Sequence, residues 1–226
     1  MNNWESDPKS PSPDSDIARI YLPEVDALIR ERLLPGKRLD IWHSPLAYLR
    51  RGPETANPYY GSGVHQDFGV TPDDYQESLA SFASNEVAQV WRNRYEQDDV
   101  AGFIMIDFWR TTYMNQPLKF LPLAVCDPNS VDIRDVVSVG YLNLTPSGGP
   151  SNQMSLRAND DQRWSFYPDM TRNEVLALKV FQAFKNDKER KVQSCFHCAF
   201  VDPDMPAQAE LRQSCEYRVS VFCLNS

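Results

Sequence analysis

A two-residue alternation near the carboxyl end constrains the fold of this 226-residue chain. Polar and apolar side chains alternate through QSCEYRVSVFCL, residues 213–224, which is the period of a β-strand. The polar parity holds Arg212, Ser214, Glu216, Arg218 and Ser220, and the apolar parity holds Cys215, Tyr217, Val219, Val221 and Cys223. Two structures would show this pattern: a sheet whose polar face lies in water, or a strand that closes a barrel around a polar cavity.

Other strand-like segments precede this one and are separated by turn sequences such as DPNS and TPSGGP. They lie at residues 38–48, 102–109, 119–127, 136–144, 153–158, 163–168 and 192–201. Strands this numerous and this evenly spaced favour a barrel or a sandwich. The sequence therefore predicts a mainly β fold with flanking helices.

Helices are predicted at three places. Residues 24–34 carry apolar positions at helical spacing and end at Pro35-Gly36, and residues 73–97 have the pattern of one or two surface helices. Thr171 with Glu174 three residues later matches a helix capping box. Apolar residues at helical spacing follow, so we expect a third helix there; they are Val175, Leu176, Leu178, Val180 and Phe181.

The charge distribution excludes some classes of partner. The formal net charge is -8 and the pI is near 4.9, with the basic residues scattered along the chain. Nucleic acid and anionic membranes attract basic patches, so we expect neither as a partner. No segment approaches the roughly 20 apolar residues of a membrane span. These features favour a soluble protein.

The amino-terminal residues and the cysteines indicate organisation and compartment. Residues 1–16 are rich in Pro, Ser and Asp, so we expect a mobile tail followed by a single domain over residues 17–226. The tail lacks the basic and apolar regions of a secretory signal. Five cysteines, an odd number with no export signal, predict reduced thiols and a cytoplasmic location.

The three histidines, His43, His65 and His197, limit where a metal could bind. His65-Gln66-Asp67 is an H-x-D triplet, and in an extended segment residues two apart point to the same side. His197 from a distant strand would complete a set of two histidines and one carboxylate, which leaves other metal positions open for O2 and substrate. Taken singly, His65 and Asp67 are more often a loop histidine beside a solvated carboxylate, and His197 is more often a hydrogen-bonded core or surface histidine.

The alternating strand supplies a candidate carboxylate site. Arg212-Gln213-Ser214 lies fifteen positions after His197, and a guanidinium with a neighbouring hydroxyl can bind a carboxylate. A 2-oxo acid that chelates a metal at one end needs such a partner at the other. Arg218 begins a second R-x-S triplet, so the choice between the two arginines stays open.

Two other sites are weighed against plainer interpretations. Cys195 and Cys198 form C-x-x-C, but residues three apart on a strand point to opposite faces, and no second pair completes a zinc site. Buried free thiols are therefore expected. His43 could contact a substrate, although a hydrogen-bonded structural histidine is the favoured interpretation.

Six motifs occur in an order that is shared with a known family. They are GVHQD (63–67), FWR (108–110), PLAVCDPNSVD (122–132), RWSFYPDMTRNEVLALKVF (163–181), HCAFVDP (197–203) and RQSCEYRVSVF (212–222). Over roughly residues 25–223 the chain resembles the non-heme Fe(II), 2-oxoglutarate-dependent oxygenases of secondary metabolism. That group includes fungal gibberellin desaturase-like and AsaB-type hydroxylases and the bacterial CmcJ-type cephalosporin methoxylation component.

The resemblance implies a double-stranded β-helix, which is a jelly-roll, cupin-like barrel. It implies Fe(II) bound by His65, Asp67 and His197. It places the 2-oxoglutarate carboxylate near Arg212, Ser214 and Arg218, and gives Trp109 and Arg110 a tentative role in contact with substrate, although Trp109 could equally be core. Thr111 stands where the family commonly has Pro, and the amino-terminal region is shorter than usual. Part of the substrate pocket is therefore expected either to differ from that of the family or to come from the partner subunit of a homodimer.

Three functional hypotheses follow. The first is an enzyme that uses Fe(II), 2-oxoglutarate and O2 for hydroxylation, desaturation or oxidative cyclisation of a small natural-product-like substrate. The second is a non-heme iron oxidase on the same scaffold that needs no 2-oxoglutarate and therefore forms no succinate. The third is a non-catalytic, cupin-like barrel that binds a small polar ligand and holds no stoichiometric iron.

Overall fold

The computed structural model of the protein describes residues 15–53, 55, 60–141, 151–187 and 192–225. Its helices are α1 (Leu22–Leu28), with π-helical segments Ile17–Tyr21 and Ile29–Leu33 at its two ends, α2 (Pro72–Phe82) and α3 (Asn85–Glu96). Its strands are β1 (Leu39–Arg51), β2 (Val100–Thr111), β3 (Leu123–Cys126), β4 (Val136–Tyr141), β5 (Ser151–Leu156), β6 (Trp164–Phe166), β7 (Leu176–Phe184), β8 (His197–Ala199) and β9 (Ser214–Leu224). Short 3-10 turns lie at Pro128–Ser130 and Ile133–Asp135.

Within the described residues, the strands form three antiparallel sheets. The largest has the order β1-β9-β2-β7, the second has the order β6-β3-β8, and β4 pairs with β5. Isolated bridges join His65 to His197 and Gln66 to Met154, so the segment before α2 links the two smaller sheets. The predicted mainly β fold with flanking helices is confirmed.

The apolar parity of β9 packs beneath the first helical segment. Ile17, Tyr21, Val25 and Ile29 lie in one cluster with the apolar residues of β9 and with the outer side chains of β2. The polar parity therefore faces the interior, where Ser214 and Ser220 are 1% and 6% exposed. Burial of both faces excludes the alternative in which the polar face of this strand lies in water.

Helices α2 and α3 form as predicted, and each buries one side. Thr71 and Asp74 form a capping box at the start of α2, with the Asp74 carboxylate accepting from the Thr71 amide at 2.9 Å. Tyr75 of α2 and Trp91 of α3 contact each other at 4.6 Å between ring centroids. Both rings also contact Phe103 of β2. This aromatic cluster fills one end of the space inside the large sheet.

The predicted helix after Thr171 is wrong, because Leu176–Phe184 is strand β7. Thr171 and Glu174 do exchange hydrogen bonds, and Glu174 N donates to Thr171 O at 3.1 Å, but they close a turn. The pairing with β2 passes from Lys179 to Phe181 and leaves Val180 as the extra residue of a β-bulge. The bulge shifts the strand by one residue, and this shift produced the apolar spacing that imitates a helix.

Two predicted strands are shorter in the structure than in the sequence analysis. The segment 119–127 pairs only over Leu123–Cys126, and the segment 192–201 only over His197–Ala199. Residues 142–144 of another predicted strand, and residues 1–14 of the expected tail, lie outside the described residues. Among the helices that the structure describes, none has the length and apolar character needed to cross a membrane.

Candidate metal centre

Side chains from opposite ends of the chain meet at one point. His65, Asp67 and His197 each place one ligand atom within 4.8 Å of the others. Two backbone hydrogen bonds hold His65 and His197 side by side: His65 N donates to His197 O at 3.1 Å, and His197 N donates to His65 O at 2.9 Å. His197 belongs to β8, whereas His65 and Asp67 lie in a bridged segment and the bend that follows it.

Both imidazoles present the same nitrogen to this point. His65 Nδ1 lies 2.8 Å from the Gly63 carbonyl oxygen, and His197 Nδ1 lies 3.1 Å from the Cys195 carbonyl oxygen. A carbonyl oxygen only accepts hydrogen bonds, so each Nδ1 carries the proton and each Nε2 keeps its lone pair. Metal-binding histidines are commonly oriented in this way.

Asp67 supplies the carboxylate and has two distinguishable oxygens. Oδ1 lies 3.8 Å from His65 Nε2, whereas Oδ2 accepts hydrogen bonds from Arg218 Nε at 3.3 Å and Nη2 at 2.9 Å. Burial alone would raise the pKa of Asp67, but Arg218, and then His197 and His65, hold it below its ordinary range. Burial, and then His65, lower the pKa of His197, which favours the neutral imidazole that a metal needs.

Gln66, between the two ligands, holds this segment in place and was missed by the sequence analysis. Its side chain is fully buried, and Nε2 donates to the carbonyl oxygens of Phe68, Gly69 and Val180 at 2.9, 3.1 and 3.3 Å. Its backbone pairs with Met154 in both directions. The H-x-D alternation could have identified the residue, since x points away from the ligands and into the core.

A charged layer on the inner face of the large sheet lies beside the metal ligands and consists of Asp107, Glu216 and Arg218. Arg218 Nη2 donates to Glu216 Oε1 at 2.9 Å as well as to Asp67. Asp107 of β2 pairs with Arg218 in the strand register and is 1% exposed. Burial, and then the Glu216 carboxylate, raise the pKa of Asp107 well above its ordinary value. Arg218 was predicted from the sequence as part of the site, whereas neither of these two carboxylates was.

Arg212 is buried near the start of β9. Its guanidinium carbon lies 4.3 Å from the Tyr60 ring centroid and 5.5 Å from that of Trp109, and Nη1 donates to Leu121 O at 2.6 Å. Arg212 Nε and Ser214 Oγ are buried without a hydrogen-bond partner in the part of the chain that the structure describes. Burial lowers the pKa of Arg212 to about 10. A buried cation and hydroxyl with unused donors fit a carboxylate ligand.

Neighbouring residues of β2 point to opposite faces. Trp109 lies in the interior cluster beside Arg212. Arg110 lies on the helix side, where its guanidinium carbon is 5.8 Å from the Tyr21 ring centroid and Nη2 donates to Arg172 O. Of the two residues named for substrate contact, the structure therefore brings only Trp109 to the interior.

The remaining histidine and the C-x-x-C cysteines stand apart from the three ligands. His43 Nε2 lies 3.0 Å from Asp26 Oδ1, and its Nδ1 lies 3.2 Å from the Tyr217 hydroxyl oxygen, so it is a structural histidine between helix and sheet, as favoured from the sequence. Cys195 and Cys198 are free thiols, and neither belongs to a group of possible metal ligands among the described residues.

The donor set decides which ions fit. Two neutral imidazole nitrogens and one carboxylate oxygen, gathered on one side of a point, form the facial set of non-heme Fe(II) oxygenases. Closely related divalent ions such as Co(II) and Mn(II) accept the same donors. The arrangement fits an ion with positions left open for other ligands, because the described residues supply three donors.

Comparison with known proteins gives a family, relatives and a fold. A family model described as "YDMC: Oxidoreductase/YMDC permease-like domain" matches residues 3–222. The hydroxylase/desaturase poxK of Penicillium oxalicum is 26% identical over 239 residues, which cover 95% of this chain and 70% of poxK. The hydroxylase/desaturase efuI of Hormonema carpetanum is 34% identical over 129 residues, which cover 52% of this chain and 40% of efuI.

Among solved structures, the iron and alpha-ketoglutarate-dependent endoperoxidase NvfI superposes with a TM-score of 0.65. The match has 19% sequence identity and covers 92% of this chain and 70% of NvfI. At this identity the match shows a shared fold, and the jelly-roll-like architecture expected from the sequence is confirmed.

Proposed function

Because this chain belongs to the family described as an oxidoreductase/YMDC permease-like domain, we propose that it is an Fe(II)- and 2-oxoglutarate-dependent oxygenase that acts on a small molecule. The observation that carries the proposal is the convergence of His65, Asp67 and His197 within 4.8 Å, with each Nδ1 beside a carbonyl oxygen so that each Nε2 is left for an ion. The names of poxK and efuI state hydroxylation or desaturation, and the name of NvfI states dependence on iron and alpha-ketoglutarate, so these similarities support the proposal.

Each part of the site has one task in this proposal. The three ligands hold Fe(II), and the buried environment of Asp67 and His197 keeps bulk water away from it. When bound, Fe(II) with 2-oxoglutarate and O2 supplies the oxidising chemistry for hydroxylation, desaturation or oxidative cyclisation. The protein contributes orientation, because the substrate must reach an open side of the ion while its other side is held by these ligands.

Arg212 and Ser214 bind the distal carboxylate of 2-oxoglutarate. Support comes from the unused donors of Arg212 Nε and Ser214 Oγ, and from the stacking of the guanidinium near Tyr60 and Trp109. Arg218, the other candidate, already donates to Asp67 and Glu216. Arg212 therefore has the capacity for a new anion that Arg218 lacks.

The substrate is a small molecule, and the compartment is a reducing one such as the cytoplasm. All five cysteines are free, which suits a compartment that keeps thiols reduced. A homodimer remains an expectation of the sequence analysis, and size-exclusion chromatography with light scattering would decide it.

An anaerobic titration tests the proposal. Fe(II) followed by 2-oxoglutarate should produce the visible charge-transfer band of the chelate in the wild-type protein and none in His65→Ala. Admission of O2 should then release succinate, even without the unknown substrate, at the slow rate of uncoupled turnover. Arg212→Met should keep Fe(II) and lose the band at moderate 2-oxoglutarate concentration.

Each alternative has its own outcome in the same experiment. Stoichiometric iron with O2 consumption but no succinate would identify an oxidase that needs no 2-oxoglutarate. Equal iron in the wild type and His65→Ala would exclude the metal centre and leave a ligand-binding barrel.

A further inference from the structure

We propose that Arg218 is a positioning residue for the metal ligand Asp67, holding one carboxylate oxygen so that only the other is presented to the ion. The inference rests on the proposed metal site and goes beyond it, because it assigns the second R-x-S arginine to the ligand and not to the cosubstrate. A metal at this site would thus bind Asp67 through a single, preselected oxygen.

The hydrogen-bond geometry separates the two oxygens of Asp67. Arg218 donates to Oδ2 from Nε at 3.3 Å and from Nη2 at 2.9 Å, so the guanidinium uses two of its five donors on one atom. Oδ1 lies on the side of the imidazoles, 3.8 Å from His65 Nε2. A charge-assisted bond of this kind fixes the carboxylate plane and lowers the donor strength of the oxygen that accepts it.

The position of Arg218 is itself fixed by the charges around it. Glu216 Oε1 accepts from Nη2 at 2.9 Å, and the strand register sets Asp107 directly opposite on β2. The Arg218 side chain is 17% exposed, and those of Asp67 and Glu216 are 10% and 11% exposed. Largely buried carboxylates that share one guanidinium leave it little freedom to turn towards another ligand.

The sequence supports the same division of tasks between the two arginines. Arg218 lies within β9, whereas Arg212 lies six residues earlier, two residues before Ser214, the first residue of that strand. Arg218 contacts the metal ligand, whereas Arg212 contacts Leu121 O and the Tyr60 ring. The strand therefore carries a residue for the metal ligand, and the segment that precedes it carries a separate residue for a carboxylate.

The test measures metal binding without any cosubstrate. Wild type, Arg218→Met, Arg218→Lys and the control Arg92→Met are titrated with Co(II) and Mn(II) by equilibrium dialysis; Arg92 is an arginine of α3 whose ion pairs with Asp73 and Glu96 lie outside the site. Removal of a residue that orients a ligand typically weakens metal affinity about 10- to 100-fold. We expect a loss of this size for Arg218→Met, a smaller loss for Arg218→Lys, and a change of less than about twofold for Arg92→Met.

The visible absorption of bound Co(II) gives the readout that a purely structural role would not move. With Oδ2 released, Asp67 can use both oxygens, so the intensity and position of the bands should change in Arg218→Met at saturating metal. The bands should stay as in the wild type in the control Arg92→Met. Unchanged Co(II) affinity and spectrum in Arg218→Met, with impaired binding of 2-oxoglutarate, would overturn the proposal.

A second variant keeps the test valid if Arg218→Met does not fold. Removing Arg218 alone leaves buried carboxylates without a partner, whereas Arg218→Met combined with Glu216→Gln removes an opposite-charge pair. The double variant should fold, by circular dichroism, and should show the same Co(II) change; a wild-type Co(II) spectrum in it would refute the role of Arg218. If the wild type itself bound no Co(II) or Mn(II), the metal site would fail first, which is a distinct result.

Discussion

Gly61 lies against the imidazole ring of His65. A β-carbon at position 61 would stand 3.0 Å from Cε1 of that ring, and the Gly61 carbonyl accepts from Ala199 N at 2.6 Å, beside the other histidine ligand. We predict that Gly61→Ala turns the ring and weakens metal affinity by about tenfold, in the range seen when a ligand loses its orientation. Equilibrium dialysis with Mn(II) measures this, with the exposed neighbour Ser62→Ala as the matched control. Equal affinities in the two variants would contradict the prediction.

Gln66 connects the ligand pair to the bulge of β7. Gln66→Leu leaves the carbonyl oxygens of Phe68, Gly69 and Val180 without their buried donor, at a cost of about 1–3 kcal/mol for each group that finds no replacement. We therefore expect a lower free energy of unfolding in urea and weaker Mn(II) binding. Gln66→Glu should be worse at neutral pH, because an ionised carboxylate accepts only and faces three acceptors. Stability equal to the wild type in both variants would show that the amide is dispensable.

Tyr60 supports Arg212 in two ways. Its ring lies 4.3 Å from the guanidinium carbon, and its hydroxyl donates to Arg212 O at 2.6 Å. We predict that the Kd for 2-oxoglutarate is about two- to fivefold higher in Tyr60→Leu than in Tyr60→Phe, since a cation–π contact is worth roughly 0.5–1 kcal/mol. The charge-transfer titration measures both values. Equal effects would mean that the hydroxyl carries the whole contribution.

Asp107 should make stability depend on pH. Burial and Glu216 raise the pKa of Asp107 in the folded state. The stability that this group contributes is therefore fully present below its unfolded pKa of about 3.9, and it is lost as pH rises through the raised pKa of the folded state. Asp107→Asn lacks this titration. Compared with the wild type, the variant should therefore gain thermal stability as pH increases from 4 to 9, measured on metal-free protein.

The opposite result would be equally informative. If Asp107→Asn instead lost thermal stability relative to the wild type as pH rises, the Asp107 carboxylate would be ionised and paired with Arg218, its neighbour in the strand register. The control Asp73→Asn removes a carboxylate from an exposed ion pair with Arg92, which contributes little to stability.

Local pattern predicted the parts of the fold that depend on neighbouring residues. The alternation in β9 gave both of its faces, and the H-x-D spacing placed His65 and Asp67 on one side. The spacing of apolar positions within residues 73–97 gave α2 and α3. In each of these cases the side chains that decide the structure lie within a few positions of one another.

The misplaced helix and the missed charged layer depend on distant pairings. The apolar spacing around Leu178 and Phe181 imitates a helix because Val180 is a bulge residue opposite β2, and only the pairing shows this. Asp107 joins the site because the register sets it opposite Arg218, more than a hundred residues later in the chain. Sequence periodicity carries no information on which strands pair or in which register.

The reciprocal backbone bridge between His65 and His197 has a consequence for folding. The two residues are separated by more than half of the chain, so the bridge forms only after a long loop has closed, and contacts of this kind form slowly. Neither imidazole can be in place before that event. Early folding intermediates should therefore not bind divalent ions. Added ion should slow unfolding of the native protein without accelerating the early collapse of the chain.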